Sequence, residues 1–255
     1  MLRANKTKAK LERGEPVFGL IAASPDPVLA ELAGLAGYDY YLLDAEHGAL
    51  SPADAGGVIR ACEAADVTPL VRVGQRDAKA VLPYLDAGML GVMMPGLESA
   101  DEVRALVAAV KYPPQGRRGL GLVRPAGYLL GARGQADYIA DANAQTLVWP
   151  QFEDAALLER LPAMAAVPGV DGFVIGPRDL SLSLGYYDGP DHPAVQAVID
   201  QVLAGLSRAG VAAGITAGSA AAARRQVARG ARIILDALPS LFQRGARAFL
   251  QGADL

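Results

Sequence analysis

The chain is poor in the residue types that mark several large classes of protein. Its 255 residues include one cysteine, Cys62, which excludes an intramolecular disulfide framework and indicates a reducing compartment, with the cytoplasm as the expected location. Lysine and arginine number 24 against 27 aspartate and glutamate residues. No basic block follows the first ten residues, so we expect no nucleic-acid partner.

Long apolar segments are also missing. The longest uncharged run, residues 209–223, is too short and too rich in Gly, Ser and Thr to cross a bilayer, so no membrane partner is expected. The basic N-terminal residues are not followed by the apolar core of a secretory signal, because Glu12 and Glu15 interrupt the approach to it.

Eight short apolar runs alternate with longer helix-forming segments along the chain. Near-continuous apolar runs are typical of parallel strands covered on both faces, and the length is about that of one eight-fold α/β barrel. At 52% hydrophobic, the composition can fill a sizeable core. The predicted strands are residues 18–22, 40–44, 69–73, 91–95, 146–152, 172–176, 212–216 and 232–236. We therefore predict an α/β fold, a single (β/α)8 TIM barrel domain over residues 1–255.

An open doubly wound sheet is the alternative architecture. It would normally carry a glycine-rich phosphate loop directly after the first strand, and residues 23–27 lack that fingerprint. In the barrel, residues 4–13 are predicted to form a helix that closes the bottom and ends at Gly14. The long interval between the fourth and fifth strands is predicted to be an extended loop or lid, and residues 238–250 a last helix.

Two carboxylates follow neighbouring predicted strands, where active sites of such barrels lie. Glu153 follows the fifth strand and Asp179 the sixth. Carboxylates without clustered cysteine or histidine suit a hard divalent ion such as Mg²⁺ or Mn²⁺. The alternative is that each one caps a helix or pairs with an arginine.

His47 and Arg72 are the other candidate catalytic residues at strand ends. His47 stands close to Asp44 in the sequence, a setting for a general base oriented by a carboxylate, although a lone histidine is often structural. Arg72 closes an apolar strand and is positioned either to stabilise a developing oxyanion or to hold an acidic side chain by an ion pair. None of the five lysines lies at a strand end, which argues against a Schiff-base mechanism.

Several motifs together resemble a known family over residues 14–250. They are Asp44-Ala45-Glu46-His47-Gly48, Val71-Arg72, KYPPQGRRG at residues 111–119, Gln151-Phe152-Glu153 and GPRDLS at residues 176–181. The chain resembles the HpcH/HpaI aldolases, class II metal-dependent pyruvate aldolases of the phosphoenolpyruvate/pyruvate superfamily. Members of this family include aldolases for 4-hydroxy-2-oxoheptanedioate and 2-dehydro-3-deoxyglucarate.

The resemblance implies a role for each matching residue. Glu153 and Asp179 hold the divalent metal, Mg²⁺, Mn²⁺ or Co²⁺, and no organic cofactor is required. The implied catalytic residues are His47 as base, Asp86 raising its basicity, Asp44 assisting, and Arg72 stabilising the transition state. The implied contacts to the 2-oxo acid are Gln151 and the backbone around Arg178 and Asp179, together with Gly176 and Pro177. Without the resemblance, Asp86 reads as a surface acid near the end of a helix.

The implied reaction is reversible aldol cleavage and addition between an aldehyde and a 2-oxo acid, pyruvate or hydroxypyruvate. The implied assembly is a homo-oligomer, a hexamer or trimer of dimers, whose C-terminal helices are exchanged between subunits. Two alternatives remain: a CoA-thioester lyase of the same superfamily, and a catalytically silent barrel used as a binding or assembly module.

Overall fold

The computed structural model describes residues 3–131 and 134–252. Eight parallel strands form one closed barrel in sequence order, with β8 paired to β1. The strands are β1 Val17–Ala22, β2 Tyr40–Asp44, β3 Thr68–Arg72, β4 Gly91–Met94, β5 Leu147–Phe152, β6 Gly172–Ile175, β7 Ala212–Thr216 and β8 Ile233–Ala237. The predicted barrel is confirmed and the open sheet is excluded. Residues 1–2, 132–133 and 253–255 of the predicted domain lie outside the described residues.

Helices surround the barrel on its outside and at its two ends. They are α1 Lys6–Glu12, α2 Pro27–Leu35, α3 Pro52–Ala64, α4 Ala78–Ala87, α5 Ala100–Val110, α6 Gln135–Gln145, α7 Leu161–Ala165, α8 Pro177–Ser183, α9 Pro193–Ala209, α10 Ala220–Ala228 and α11 Leu238–Gly252. Local sequence fixes several starts: the Asp26 carboxylate accepts the backbone N–H of Val28, and Ser51 and Asp54 form a capping box. No helix of the described ranges is long and apolar enough to span a membrane.

The strands carry buried side chains on both faces. Inside the barrel, Tyr40 packs edge-on against Trp149 with their ring centroids 5.2 Å apart. Gly19 makes room for this pair, because a Cβ there would lie only 2.1 Å from the Tyr40 ring. A larger apolar layer lies between the strands and the helices. This two-sided burial explains why the strands appear in the sequence as apolar runs rather than as alternating patterns.

The end of the barrel opposite the strands' C-termini is closed by α1, as predicted. The Thr7 hydroxyl donates to the backbone carbonyl of Asp39 at 2.9 Å and pairs with Thr68 Oγ1 at 2.8 Å. The Asn5 side chain caps α1 and donates to the carbonyl oxygen of Leu90 at 3.2 Å. We call this end the floor and the opposite end, where the strands' C-termini open, the mouth.

The segment between the fourth and fifth strands, predicted to be an extended loop or lid, contains a loop but does not cover the mouth of this chain. Because α5 runs back from the mouth, the segment after it lies at the floor. There Arg124–Leu129 forms two short turns joined by a kink at Gly127 and Tyr128, and Arg124 is paired with Glu63 at the end of α3. The following α6, which was not predicted, leads into β5.

The helical segment between β5 and β6 is divided in two. A 3₁₀ turn at Ala155–Leu157 precedes α7, which begins at Leu161. Pro162 accounts for the division, because a proline lacks the N–H that an interior helical position must donate and fits the first turn.

Candidate active site

Side chains from several strands converge at the mouth of the barrel. Asp44 and Arg72 are the last residues of β2 and β3 and are register partners. Gln151 lies in β5, Glu153 follows it, and α8 starts directly after β6 with Pro177. Because all eight strands are parallel, these strand ends open on the same side, as the sequence predicts.

Arg72 is held by two acidic side chains. Its Nε and Nη2 donate to the two carboxylate oxygens of Asp44 at 2.9 and 2.7 Å, and its Nε lies 3.1 Å from Glu46 Oε2. Its Nη1 reaches Gln151 Oε1 at 3.5 Å. Burial alone would raise the pKa of Asp44, but the guanidinium of Arg72 and two backbone N–H donors lower it. The guanidinium is therefore fixed in orientation beside an ionised Asp44.

His47 lies in the loop after β2 with its side chain 65% exposed. Asp44 accepts the backbone N–H of His47 at 3.3 Å, so it shapes this loop rather than contacting the imidazole. The carboxylate nearest the imidazole is Glu46, whose Oε2 is 3.8 Å from Nε2. The sequence motif marks Glu46 only as a neighbour of His47, whereas the fold places it between His47 and Arg72.

Glu46 differs from an ordinary surface acid. Burial raises its pKa, with opposing contributions from Arg72 and His47 and a further rise from Asp44 and Asp179. Its Oε2 is buried and accepts no hydrogen bond from the described residues, although Arg72 lies beside it. The mouth thus contains a third partly buried carboxylate that the predicted site omits.

Asp86 and His47 do not meet within this chain. Asp86 lies near the C-terminal end of α4, which points to the floor, whereas His47 is at the mouth. There the Asp86 carboxylate accepts from Arg118 Nη2 at 2.8 Å, and the guanidinium of Arg118 stacks over the Tyr112 ring. The expectation that Asp86 raises the basicity of His47 is therefore not supported inside one chain, because helix direction separates the two residues.

Glu153 and its neighbours form the candidate metal site. Its Oε1 accepts the backbone N–H of Gly96 at 2.7 Å, and its Oε2 accepts from the Gln151 side chain. Burial raises the pKa of Glu153, and the carboxylates of Asp179 and Glu46 raise it further. These carboxylates repel one another in the absence of a cation, and a bound divalent ion would offset that repulsion.

The donor set for a metal is small. Within residues 3–131 and 134–252, no group of three or more His, Cys, Asp or Glu side chains is arranged to hold an ion. Glu153 and Asp179, the predicted pair, line the same depression at the mouth, and two protein ligands would leave the remaining positions for substrate and water. Gly176 keeps this pair accessible, because a Cβ there would lie 2.7 Å from Gln151 Nε2 and 3.1 Å from Glu153 Cβ.

Two adjoining cavities open at the mouth. The axial cavity, of about 360 Å³, is lined by Asp44, His47, Arg72, Gln151, Arg178 and Asp179 together with apolar side chains. The acidic depression, of about 270 Å³, is lined by Glu46, His47, Glu98, Glu153, Asp154 and Asp179 and by two leucines and a glycine. His47 and Asp179 line both. A larger groove of about 720 Å³ on the outside of the barrel contains none of the predicted catalytic residues.

No lysine lines either cavity. Lys111 is buried at the end of α5, where its amine donates to the carbonyl oxygens of Asn143 and Thr146 at 2.7 and 2.5 Å. Lys79 is exposed at the start of α4 on the outside of the barrel, and the other three lysines lie in α1 at the floor. The expectation that no lysine amine reaches the site agrees with this arrangement.

Comparison with known proteins identifies the family. The HpcH/HpaI aldolase/citrate lyase family matches residues 18–237. A hydroxypyruvate/pyruvate aldolase of Paraburkholderia phytofirmans is 39% identical over 240 residues, covering 90% of each chain. A 2-keto-3-deoxy-L-rhamnonate aldolase of Klebsiella pneumoniae is 37% identical, covering 91% of this chain and 86% of the relative.

A solved structure shows the same architecture. It is an HpcH/HpaI aldolase/citrate lyase family protein from Burkholderia cenocepacia, with a TM-score of 0.91 and 36% identity, covering 99% of this chain and all of the other. The predicted carbon–carbon lyase is confirmed: the barrel, the mouth residues and these relatives together show that the chain belongs to the HpcH/HpaI aldolase/citrate lyase family.

Proposed function

We propose that this protein is a divalent-metal-dependent aldolase that catalyses reversible aldol cleavage and addition between a 2-oxo acid and an aldehyde. The observation that carries the proposal is the convergence of the Glu153–Asp179 pair with an Arg72 guanidinium that Asp44 holds in place. Pyruvate or hydroxypyruvate is the donor, in keeping with the names of the similar aldolases. No organic cofactor is needed for this chemistry.

The residues at the mouth fit a divalent cation. Glu153 and Asp179 supply hard oxygen donors of the kind that Mg²⁺, Mn²⁺ or Co²⁺ binds. Burial raises the pKa of Glu153, and the neighbouring carboxylates of Asp179 and Glu46 raise it further. When bound, the metal supplies a Lewis acid and a template that orients the oxygens of the 2-oxo acid. The Gln151 amide, which donates to Glu153, orients that carboxylate.

Arg72 and His47 carry out the charge stabilisation and proton transfer. The fixed guanidinium of Arg72 donates hydrogen bonds to the oxygen on which negative charge develops. His47, which lines both cavities, removes a proton from the carbon next to the carbonyl of the donor and returns it in the reverse direction. Gln151 and the backbone at the start of α8, from Gly176 to Asp179, contact the 2-oxo acid.

The CoA-thioester alternative needs basic residues near the mouth for the CoA phosphates, and the sequence offers two adjacent arginine pairs, Arg117-Arg118 and Arg224-Arg225. Arg118 is only 3% exposed and is paired with Asp86 at the floor, so it is not free to bind phosphate groups. Arg224 and Arg225 are on α10, outside the barrel. Neither pair borders the mouth, where a CoA thioester would have to react, so this alternative is disfavoured. A silent barrel is disfavoured because the acids, the histidine and the arginine are all assembled at one mouth.

We also propose a homo-oligomer in which α11 is exchanged between subunits, commonly a hexamer built as a trimer of dimers. Phe242 and Phe249 of α11 are 75% and 76% exposed, and no residue of this helix is buried. The 720 Å³ groove lies beside β8 and α10. Its lining is largely apolar and includes Phe18, Tyr38 and Val227, with the charged residues Arg224, Asp236 and Arg244 also bordering it. The two apolar surfaces are complementary in character, which supports insertion of α11 from a second copy.

The assembly is tested by analytical ultracentrifugation. Phe242→Ser combined with Phe249→Ser should yield smaller species than the unmodified protein at the same concentration. An unmodified protein that sediments as a monomer would contradict the exchange.

The single buried cysteine is the feature that favours a cytoplasmic location.

The proposed reaction is tested by NMR of pyruvate in D₂O. Removal of a methyl proton precedes carbon–carbon bond formation, so the enzyme with Mg²⁺ or Mn²⁺ should exchange the methyl protons without any aldehyde. A chelator should stop the exchange, and added metal should restore it. His47→Ala should slow exchange by about 10²–10⁴-fold, which is the usual contribution of a general base. Absence of exchange, together with absence of aldol product for a panel of aldehydes, would refute the proposal.

A further inference from the structure

The start of α8 places two charged residues side by side at the mouth. Gly176 precedes the helix, Pro177 is its first residue, and Arg178 and Asp179 follow. Consecutive helical residues point about 100° apart, so these two side chains leave the helix in different directions. Asp179 lines both cavities, whereas Arg178 lines the axial cavity and not the acidic depression.

Arg178 differs from the other cation of the axial cavity. Arg72 is engaged by Asp44 in a two-point hydrogen bond and lies close to Glu46. The guanidinium of Arg178 is exposed, and no carboxylate of the described residues pairs with it. The axial cavity thus holds one neutralised arginine and one that is available to a ligand.

The other residues at the mouth determine which side of it attracts an anionic group. The acidic depression is lined by five carboxylates and contains no arginine or lysine. The axial cavity has apolar walls that include Ile21, Leu235 and Pro239. An anionic group entering the mouth is therefore repelled on one side and meets the free guanidinium on the other.

We propose that the Arg178 side chain binds an anionic substituent, a carboxylate or a phosphate, that the acceptor aldehyde carries away from its carbonyl carbon. This inference rests on the proposed aldolase function. The donor has three carbons and is accounted for by Arg72, Gln151 and the metal pair, which leaves Arg178 for the second substrate. The planar guanidinium offers the two parallel donors that suit carboxylate and phosphate oxygens.

The test uses acceptors matched in length but not in charge. Butanal and 4-oxobutanoate form one pair, and glyceraldehyde and glyceraldehyde 3-phosphate form the second, so that carboxylate and phosphate are distinguished. For Arg178→Gln, kcat/KM with the preferred anionic acceptor should fall by about 10–100-fold, mainly through KM, as expected for loss of a charge-assisted hydrogen bond. The neutral partner should change by less than about twofold. Arg178→Lys should retain part of the preference.

The control is Arg208→Gln, which removes the same charge at the floor end of α9. The inference is overturned if Arg178→Gln lowers kcat/KM equally for both members of each pair, or leaves both unchanged. Pyruvate methyl exchange distinguishes a failure of the role of Arg178 from a failure of the proposed aldolase function. Exchange that is normal while charge discrimination is absent refutes only the role of Arg178. An unmodified protein without exchange and without aldol product removes the proposed function and this inference with it.

Discussion

Replacement of Asp44 by Asn is the most direct test of how the mouth holds Arg72. The substitution keeps the size of the side chain but removes its charge and one of its two acceptor oxygens, so only one of the hydrogen bonds at 2.9 and 2.7 Å can remain. Glu46, whose Oε2 is 3.1 Å from Arg72 Nε, then becomes the main partner. We expect the guanidinium to shift toward Glu46 and away from Gln151.

The expected loss of stability follows from the burial of the Arg72 and Asp44 side chains. The side chains of Arg72 and Asp44 are 12% and 8% exposed, and loss of one partner of such a pair costs about 3–5 kcal/mol. Because Glu46 still compensates the guanidinium, the expected loss in free energy of unfolding is at the lower end, about 3 kcal/mol. A misplaced donor to a developing oxyanion lowers the rate by about 10²–10³-fold. Arg72 itself remains, so we expect about 100-fold.

Two measurements check these values: urea unfolding, and the rate of pyruvate methyl exchange. The dependence of stability on pH adds a sign test. Because the folded pKa of Asp44 is lowered, its contribution is present above the unfolded pKa of about 3.9 and is lost as the pH falls through the folded value. Asp44→Asn should therefore lose part of the acid-induced destabilisation that the unmodified protein shows.

Glu63→Gln is the matched control, because Glu63 pairs with Arg124 at the floor. It should reduce stability while leaving the exchange rate within about twofold of the unmodified protein, as expected for a partly exposed pair far from the mouth. If Asp44→Asn exchanges pyruvate protons as fast as the unmodified protein, Arg72 does not need Asp44 to act, and the proposed organisation of the mouth is wrong.

The remaining predictions concern packing, metal, burial and lysine chemistry. Gly176→Ala should lower the exchange rate by at least about 100-fold while destabilising the fold by only about 1–3 kcal/mol, because the new Cβ displaces Gln151 and Glu153. Gly57→Ala, where a Cβ has room, is the control. An unchanged exchange rate in Gly176→Ala would contradict the proposed packing. Glu153→Gln should weaken Mn²⁺ binding in calorimetry, and unaltered affinity would exclude Glu153 as a ligand. Burial lowers the pKa of Lys111 to about 8, so the folded state binds fewer protons above that pH than the unfolded state does. As the pH rises from 8 to about 10, the unmodified protein should therefore gain stability relative to Lys111→Met, by at most about 3 kcal/mol. Urea unfolding measures this difference. If the stabilities of the two proteins change in parallel with pH, Lys111 does not carry a buried charge. Borohydride with pyruvate should leave the protein mass unchanged in mass spectrometry, since no lysine lines the mouth, and a stable adduct would indicate imine chemistry.

Proline shows how far a local rule extends. Pro150, in the middle of a predicted strand, implies a local break in pairing. In the structure β5 remains continuous and Pro150 stays in register with Met94 of β4, whereas the ladder to β6 begins only at Gln151. The missing N–H of Pro150 therefore affects the pairing of β5 with β6 and not its pairing with β4. Which of the two strands is affected depends on the side of β5 that the proline nitrogen faces.

Asp86 shows the opposite case, where a motif position suggests a contact that the fold does not make within one chain. Its helix, α4, follows β3, and a helix that returns to the start of the next parallel strand must end at the floor. That direction was available from the order of elements alone. The partner of Asp86 was not: Arg118 lies 32 residues later and reaches it only after the segment following α5 has folded across the floor.

The sequence by itself determined the eight strands, the closed barrel class and the end of the barrel at which Glu153, Asp179, His47 and Arg72 lie. These properties depend on short-range patterns: apolar runs for strands buried on both faces, capping residues for helix starts, and parallel connections that bring strand ends together. Only the tertiary structure decided that Asp44 holds Arg72, that Glu46 stands between Arg72 and His47, and that Arg178 is left free. Such contacts depend on distances between side chains of different strands, which barrel closure and register set and which no local pattern encodes.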